Sequence, residues 1–225
     1  MAGAAVAEGG VASAAFPWGS GAPGAFAAWL LPGKLLVGRY PFVDCDRCWV
    51  AEEGERQLAA VLRAGVTVFC SLQAELPGQA EMPERGVRNF VPYKPSVDRM
   101  APALAASRGK KTPACQYSSF PIPDMGAPSD ETMDAALRFL SDHIHAGAKV
   151  YLHCWGGRGR AGVVAACFLM REQGLDAEDA LRRVQAAYDM RHDPIPRSPE
   201  TAAQLAYVRA FGRRLAAQRR SQEGG

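Results

Sequence analysis

Several features that would assign this chain to a broad class are missing from its sequence. No apolar run reaches the roughly 20 residues that span a bilayer, and no positively charged segment precedes an apolar core, as it would in a secretory signal. The formal net charge is only +3, so nothing calls for a nucleic-acid partner, although an anionic substrate is compatible with it. With 48% hydrophobic and 22% charged residues, the chain suits one globular domain with a tail.

The first 30 residues are rich in alanine and glycine and lack the periodicity of a helix or strand. They predict a flexible leader, followed by one domain over residues 31–218 and a tail over 219–225. Because the leader has no arginine before Arg39 and few hydroxyl residues, organelle import is the less favoured alternative. Six cysteines without a secretory signal indicate a reducing compartment, and we expect a cytoplasmic protein.

Alternating β-prone and helical segments predict an α/β fold, with a central, mostly parallel sheet of about four to five strands flanked by helices. The predicted strands are 35–38, 66–72, 116–120 and 150–153, and we expect the second to lie beside the last. The predicted helices are 55–64, 162–173 and three that begin near Ser129, Asp176 and Ser198. The stretch 78–113 shows little periodicity, and no element is assigned to it. In such sheets ligands lie beyond the carboxyl ends of the strands.

A strand, a glycine-rich loop and a helix are predicted between Val150 and Met170. Cys154 opens the loop and Arg160 closes it, in a Cys-x5-Arg spacing with glycines at 156, 157 and 159. The first turn of a helix presents unpaired N–H groups that bind anions. The sulfur should therefore ionise more readily than a free thiol, and Arg160 can offer its planar fork to a bound oxyanion. The alternative is a buried cysteine in an ordinary strand-to-helix connection.

The motif His153-Cys154-x-x-Gly157-x-x-Arg160 resembles the signature of the cysteine-dependent protein tyrosine phosphatase superfamily, in its small dual-specificity-like branch. The resemblance covers roughly residues 34 to 215. It implies a phosphocysteine intermediate on Cys154, and a general acid from a separate loop. The phosphate-binding residues that it implies are Trp155, Gly156, Gly157, Arg158, Gly159, Arg160 and Ala161. We expect no cofactor and no metal.

Asp124 is the candidate for the general acid. It follows the predicted strand 116–120 and lies between prolines in a stiff loop, at the rim where the strands end. It is similar to the family's acid, which protonates the departing oxygen and then takes a proton from the attacking water. A plain turn residue is the alternative. Asp130 is a weaker candidate, because a carboxylate in the first turn of a helix stabilises that helix by itself.

The same resemblance implies supporting roles for two further residues. It implies that His153 lies under the loop and helps to ionise the thiol without acting as a base; the alternative is a satisfied histidine at a strand end. Cys70, which we expect at the end of the strand beside the cysteine loop, matches in place a cysteine that forms a reversible disulfide with the nucleophile in phosphatases of regenerating liver. We therefore hypothesise a Cys70–Cys154 disulfide, with a plain buried thiol as the alternative. Cys45 and Cys48 form a lone Cys-x-x-Cys, which is too little for a zinc site.

Two positions in the loop bear on the substrate and on the rate of the reaction. Ala161 stands where the signature usually has a serine or threonine that stabilises the leaving thiolate. Phosphatases of regenerating liver share this alanine and a stretch similar to residues 124–128, so we expect slow breakdown of the phosphocysteine. Arg158 could meet additional negative charge, as on an inositol phosphate, or point to water.

The leading function is a phosphoprotein phosphatase of tyrosine or dual specificity, with a phosphoprotein or another phosphomonoester as its partner. The alternatives are a phosphoinositide or inositol phosphate phosphatase, a slow or vestigial phosphate-binding module, and a rhodanese-like sulfurtransferase, which would need no acid aspartate. The sequence gives no expectation for the oligomeric state.

Overall fold

The computed structural model describes residues 24–109, 114–191 and 197–223. The strands in these ranges are β1 (Ala27–Leu31), β2 (Leu35–Gly38), β3 (Val68–Gln73), β4 (Gln116–Ile122) and β5 (Val150–His153). The helices there are α1 (Ala51–Arg63), α2 (Lys94–Ala106), α3 (Asp130–His145), α4 (Gly159–Gln173), α5 (Ala177–Asp189) and α6 (Ala202–Glu223).

The strands form one sheet in the order β1-β2-β5-β3-β4. β1 and β2 are antiparallel, and the other neighbouring pairs are parallel. The predicted α/β class, the mostly parallel sheet and the pairing of β3 with β5 are therefore confirmed. Because the carboxyl ends of β2, β5, β3 and β4 share one edge of the sheet, the loops that follow these strands meet at that edge.

Local sequence signals place the ends of three helices. The Ser129 side chain accepts a hydrogen bond from the Thr132 N–H at the start of α3, and the Asp176 side chain does the same for the Asp179 N–H at the start of α5. Helix α4 ends at Gly174, whose φ of 70° lies in the left-handed region that favours glycine. These caps agree with the predicted helix boundaries.

Side chains of β5 alternate between two apolar layers. Val150 and Leu152 join the cluster that packs against α3, α4, α5 and α6, whereas Tyr151 joins the cluster under α1 and α2. Helix α4 is buried at every residue from Gly159 to Met170, which makes it the central helix of the larger layer. None of the described helices is long and apolar enough to cross a membrane.

Two predicted boundaries need correction, and one helix was not predicted. Strand β1 occupies residues 27–31, so it begins inside the predicted leader and crosses the predicted boundary at residue 30. Its alanines have weak β propensity, and pairing with β2 buries them. Helix α2 lies in the stretch to which no element was assigned, because Pro95 and Pro102 obscure its pattern. Helix α6 continues to residue 223, beyond the predicted start of the tail at 219. The rest of the predicted leader, residues 1–23, lies outside the described residues.

Candidate active site

The glycine-rich loop connects β5 to α4 at the edge of the sheet where the parallel strands end. Cys154 immediately follows β5, and its side chain is buried, with 2% of the residue exposed. The Gly157 N–H donates a hydrogen bond to the Cys154 sulfur across 3.2 Å. Helix α4 begins at Gly159, so the sulfur lies at the positive end of this helix, where negative charge is stabilised. The predicted strand–loop–helix arrangement around the cysteine is confirmed.

Two glycines of this motif are required by close packing. Gly157 has a φ of +68°, and a Cβ there would collide with the backbone of Gly38 and Arg39. A Cβ at Gly162 would collide with the Ser198 hydroxyl. Helix α4 therefore packs closely against Ser198 at Gly162.

Arg160 is the most completely enclosed charged side chain of the site, with 2% of its side chain exposed. Its guanidinium donates to both carboxylate oxygens of Glu75, at 2.5 and 2.9 Å, and to the Ile122 carbonyl at 3.2 Å. One carboxylate oxygen of Asp124 lies 3.0 Å from Nη2 of the same guanidinium. Two carboxylates from different loops therefore fix the position of Arg160.

Glu75 is a site residue that the sequence analysis missed. It follows β3 by two residues, on the edge where ligands of such sheets lie, and this position is the signal that could have identified it. Its side chain is 14% exposed. Partial burial raises its pKa, but hydrogen bonds from Arg160 and from the backbone outweigh burial and lower the pKa below its usual value. Glu75 is therefore a charged partner that holds Arg160 in place.

Asp124 lies beside Arg160, on the loop that follows β4. The side chain is 51% exposed, in contrast to the enclosed Glu75. The C-terminal segment holds this loop: the Thr201 hydroxyl donates to the Met125 carbonyl at 3.3 Å, and the Gln204 amide donates to the Gly126 carbonyl at 3.0 Å. The structure thus brings Asp124 to the cysteine loop while leaving its carboxylate accessible.

Arg191 and Ser198 brace the cysteine loop from outside. The sequence analysis gave Arg191 no role and expected a helix to begin near Ser198, whereas α6 begins at Ala202. The Arg191 guanidinium donates to the carbonyls of Gly156 and Gly157, each at 2.9 Å. The Ser198 hydroxyl donates to the Arg158 carbonyl at 2.8 Å. Since these donors hold the loop carbonyls outward, the loop N–H groups can turn toward the cavity. Neither residue belongs to a recognisable motif, so only the tertiary structure reveals their role.

His153 lies beneath the loop, where it was predicted. It is fully buried, and a hydrogen bond of 2.9 Å joins its Nε2 and the Tyr93 hydroxyl. Its ring also contacts those of Tyr40 and Tyr151. Burial lowers the pKa of His153 to about 3, so the imidazole is neutral at pH 7. A buried neutral histidine is compatible with the predicted supporting role and not with that of an exposed base.

A cavity of about 180 Å³ opens above Cys154. Residues from the predicted loop that line it are Cys154, Trp155, Gly156, Arg158, Gly159 and Arg160. Residues from elsewhere that line it are Asp46, Arg47, Asp124, Met125, Glu200 and Gln204. Arg158 does not simply point to water, because its guanidinium forms a 2.6 Å ion pair with Glu200. Of the predicted phosphate-binding residues, Gly157 and Ala161 contribute to the loop and helix without lining the cavity.

Cys70 lies in the middle of β3, opposite Leu152 of β5, and not at the end of its strand. It is fully buried in the same apolar cluster as Cys154, and burial raises its pKa. All six cysteines are free thiols. The Cys70–Cys154 disulfide stays a prediction.

Among the described residues, no group of three or more histidine, cysteine or acidic side chains is placed to hold a metal ion.

Comparison with known proteins gives relatives that are similar to parts of the chain. A putative tyrosine phosphatase of Invertebrate iridescent virus 3 is 36% identical over 79 residues, 33% of each chain. A cyclin-dependent kinase inhibitor 3 of Sus scrofa is 33% identical over 103 residues, 46% of each chain. The chain therefore spans between about a third and a half of the length of these curated relatives.

Solved structures support the fold over most of the chain. Tk-PTP in its active form is 26% identical, with 84% of this chain and 97% of that chain covered and a TM-score of 0.55. PTPMT1 in complex with PI(5)P is 16% identical, with 86% and 98% covered and a TM-score of 0.55. Residues 25–208 match the family model described as PTP-SAK, Swiss Army Knife protein, DSP-PTPase phosphatase domain. The chain, with its cysteine, arginine and aspartate gathered at one cavity, belongs to this family of dual-specificity-type phosphatase domains.

Proposed function

We propose that this protein is a cysteine-dependent phosphatase that hydrolyses phosphomonoesters on proteins through a phosphocysteine intermediate. The observation that carries the proposal is the meeting of Cys154, Arg160 and Asp124 at one cavity. Three separate requirements of the chemistry, a nucleophile, an oxyanion partner and a proton donor, are thereby met at the same place.

The first step transfers the phosphoryl group to the enzyme. The Cys154 thiolate attacks phosphorus, so the S–P bond forms while the ester P–O bond breaks, and Asp124 gives its proton to the departing oxygen. In the second step water attacks phosphorus and gives a proton to the Asp124 carboxylate. The S–P bond then breaks and returns the thiolate, with inorganic phosphate as the product.

The contacts of Arg160 suggest how the substrate engages the site. Glu75 binds the guanidinium through two hydrogen bonds and is mostly enclosed, whereas Asp124 touches one nitrogen and is half exposed. A bound phosphoryl group would therefore displace Asp124 and leave Glu75 in place. The displaced carboxyl would then be close to the leaving oxygen, where the first step needs its proton.

A protein substrate is favoured by the family match and by relatives that are named as tyrosine phosphatases. The structural similarity to PTPMT1, which was solved with PI(5)P, keeps a phosphoinositide substrate as the second candidate. We also propose a reducing, cytoplasmic location, because the Cys154 sulfur must stay reduced to act as a nucleophile.

Hydrolysis of p-nitrophenyl phosphate tests this function with matched variants. Cys154→Ser should abolish turnover, and Asp124→Asn should slow it by roughly 10²- to 10⁴-fold, the usual contribution of a general acid. Asp130→Asn is the control, because Asp130 lies at the first turn of α3 and pairs with Arg214. It should keep wild-type activity. An inert wild type, or an active Cys154→Ser variant, would refute the proposal.

A further inference from the structure

A second concave site lies away from the cavity above Cys154, between the end of α4, the start of α5 and the second half of α6. Its volume is about 440 Å³, against about 180 Å³ for the cavity above Cys154. Residues 174–178 form one wall, and residues of α6 between 209 and 219 form the other. We call this site the α6 groove. None of the described residues that line it also lines the cavity above Cys154.

Contacts between helices fix the walls of the α6 groove. A Cβ at Gly212 would lie 3.2 Å from the Ala177 Cβ and 3.2 Å from the Met170 sulfur, so α6 packs tightly on α4 and α5 at this point. The Arg219 guanidinium donates to the Met170 carbonyl at 2.9 Å, which ties α6 to the last turns of α4. The groove is therefore formed by the packing of the protein before any ligand binds.

The floor of the α6 groove is apolar. It is lined by Leu175, Ala177, Leu215 and Ala216. Three of these residues, Leu175, Ala177 and Leu215, pack against the larger apolar cluster but are only partly buried by it. An apolar side chain of a partner that covered this floor would remove further apolar surface from water, which favours binding.

The charges on the walls of the α6 groove are not balanced. Glu178 already accepts hydrogen bonds from Arg209 at 2.6 and 3.3 Å, and Asp176 caps α5. Arg213 is exposed and forms no ion pair with any residue in the described part of the chain. The contact of Arg219 with a backbone carbonyl neutralises no charge. Two arginines of the groove are thus available to carboxylates of a partner.

An apolar floor beside two available guanidinium groups suits a ligand that carries both apolar and carboxylate groups. In an extended peptide, successive side chains point to opposite sides. Apolar residues that alternate with acidic ones can therefore face the floor while the carboxylates stay within reach of the arginines. A flat bilayer surface would meet the helices on either side before it reached the floor. The occupant that fits the groove is therefore an acidic, apolar peptide segment.

Helices α4 and α6 run side by side from the cavity above Cys154 to the α6 groove. Both begin near this cavity, because a Cβ at Gly159, the first residue of α4, would lie 2.9 Å from the amide nitrogen of Gln204 in α6. Gly159 and Met170 are eleven positions apart, so the groove begins about 16 Å from the cavity at 1.5 Å per residue. An extended chain of about five residues spans this distance, so one substrate can occupy both sites.

We propose that the α6 groove binds an acidic, apolar segment of the phosphoprotein substrate, at a distance along the chain from the phosphorylated residue. The proposal rests on the phosphatase function proposed above and adds a second contact that selects among substrates. A segment fewer than about five residues from the phosphorylated residue would be too close to reach the groove.

The test compares three phosphotyrosine peptides. The first carries Asp-Leu-Glu-Leu-Asp after a linker of about eight glycine and serine residues, which can span the distance. The second has serine in place of both leucines, and the third has a linker of about two residues, which cannot span it. Wild-type KM should be about tenfold lower for the first peptide than for the other two, with kcat little changed. The difference between the first two peptides should shrink at high salt.

Arg213→Glu should remove the advantage of the first peptide and leave turnover of p-nitrophenyl phosphate at the wild-type level, because Arg213 is exposed and does not line the cavity above Cys154. Arg220→Glu is the matched control. Arg220 is an exposed arginine of α6 that does not line the groove, so the variant should keep the wild-type ratio of KM values. An equal loss in both variants would indicate a general attraction to a basic helix and would overturn the proposal.

Equal KM values for the three peptides, or an advantage that survives Arg213→Glu, would overturn the docking role while leaving the phosphatase function intact. Capture on vesicles of phosphatidylserine and phosphatidylcholine that depends on Arg213, without any effect on the peptides, would overturn it in favour of a membrane. If wild type does not hydrolyse p-nitrophenyl phosphate, the phosphatase function itself fails. Fluorescence anisotropy with a labelled, unphosphorylated form of the first peptide then tests the groove alone, and equal Kd values for wild type and Arg213→Glu would overturn it.

Discussion

Glu75→Gln is the most direct test of how the site is assembled. The change keeps the shape of the side chain but replaces one carboxylate oxygen with an NH₂ group that meets an N–H of Arg160. In the wild type Arg160 donates two hydrogen bonds to Glu75, at 2.5 and 2.9 Å. In the variant one of them is lost, because the new NH₂ group and the Arg160 N–H are both donors. Removing one partner of a buried ion pair costs about 3–5 kcal/mol, and Asp124 still contacts the guanidinium. We therefore expect the free energy of unfolding to fall by about 3 kcal/mol, the lower end of this range.

Urea unfolding at pH 7 measures this loss, and thermal melting should show a fall in Tm of roughly 6–12 °C. Turnover of p-nitrophenyl phosphate should fall about 10²-fold, since a small displacement of a positioning group has that effect. The matched control is Glu55→Gln, which removes the carboxylate of an exposed pair with Arg99 and should cost less than about 1 kcal/mol.

The pH dependence adds a second measurement on the same variant. Because the pKa of Glu75 is lowered in the folded state, the stability that the ionised side chain contributes is fully present above the usual glutamate pKa of about 4.3. The contribution is lost as the pH falls through the lowered value. The stability difference between wild type and Glu75→Gln should therefore be largest near neutral pH and shrink in acid. Equal stabilities at pH 7 together with unchanged turnover would refute the assigned role of Glu75.

Three further predictions concern the loop and its surroundings. Ala161→Ser should speed phosphocysteine breakdown, seen as faster steady-state release of phosphate, and an unchanged or lower rate would contradict the role inferred for the missing hydroxyl. Arg191→Gln removes two hydrogen bonds to loop carbonyls and should weaken inhibition by inorganic phosphate by about 1–3 kcal/mol, which is roughly 5- to 150-fold; inhibition equal to that of wild type would show that the loop does not depend on it. Mild peroxide should yield a Cys70–Cys154 crosslink in peptide maps of wild type and none in Cys70→Ala, whereas its absence from wild type would discard the disulfide hypothesis.

The Cys-x5-Arg motif could be predicted from the sequence because its residues are close together in the chain. Cys154, the glycines after it and Arg160 lie within one strand–loop–helix unit, whose geometry follows from local preferences. Asp124 could be predicted as well, since it follows a strand of a parallel sheet and all such loops meet at one edge. Strong β and capping signals likewise placed β3, β5, α3 and α5.

The elements that were missed are those with weak local preferences. Strand β1 begins with two alanines and is stabilised by pairing with β2, and α2 contains prolines in a pattern that indicates no helix by itself. Such segments take their structure from burial against the rest of the molecule, which tertiary contacts provide and a short window of sequence does not.

The sequence by itself predicted the candidate nucleophile and the glycine-rich loop, which lie within one local unit, and it predicted the class of fold from the order of its β-prone and helical segments. Only the tertiary structure revealed what holds that unit in place. Glu75 reaches Arg160 across 85 positions, and Arg191 reaches Gly156 across 35. Arg47 comes to the cavity from a third loop. Contacts between distant residues depend on how helices pack on the sheet, and no spacing along the chain encodes them.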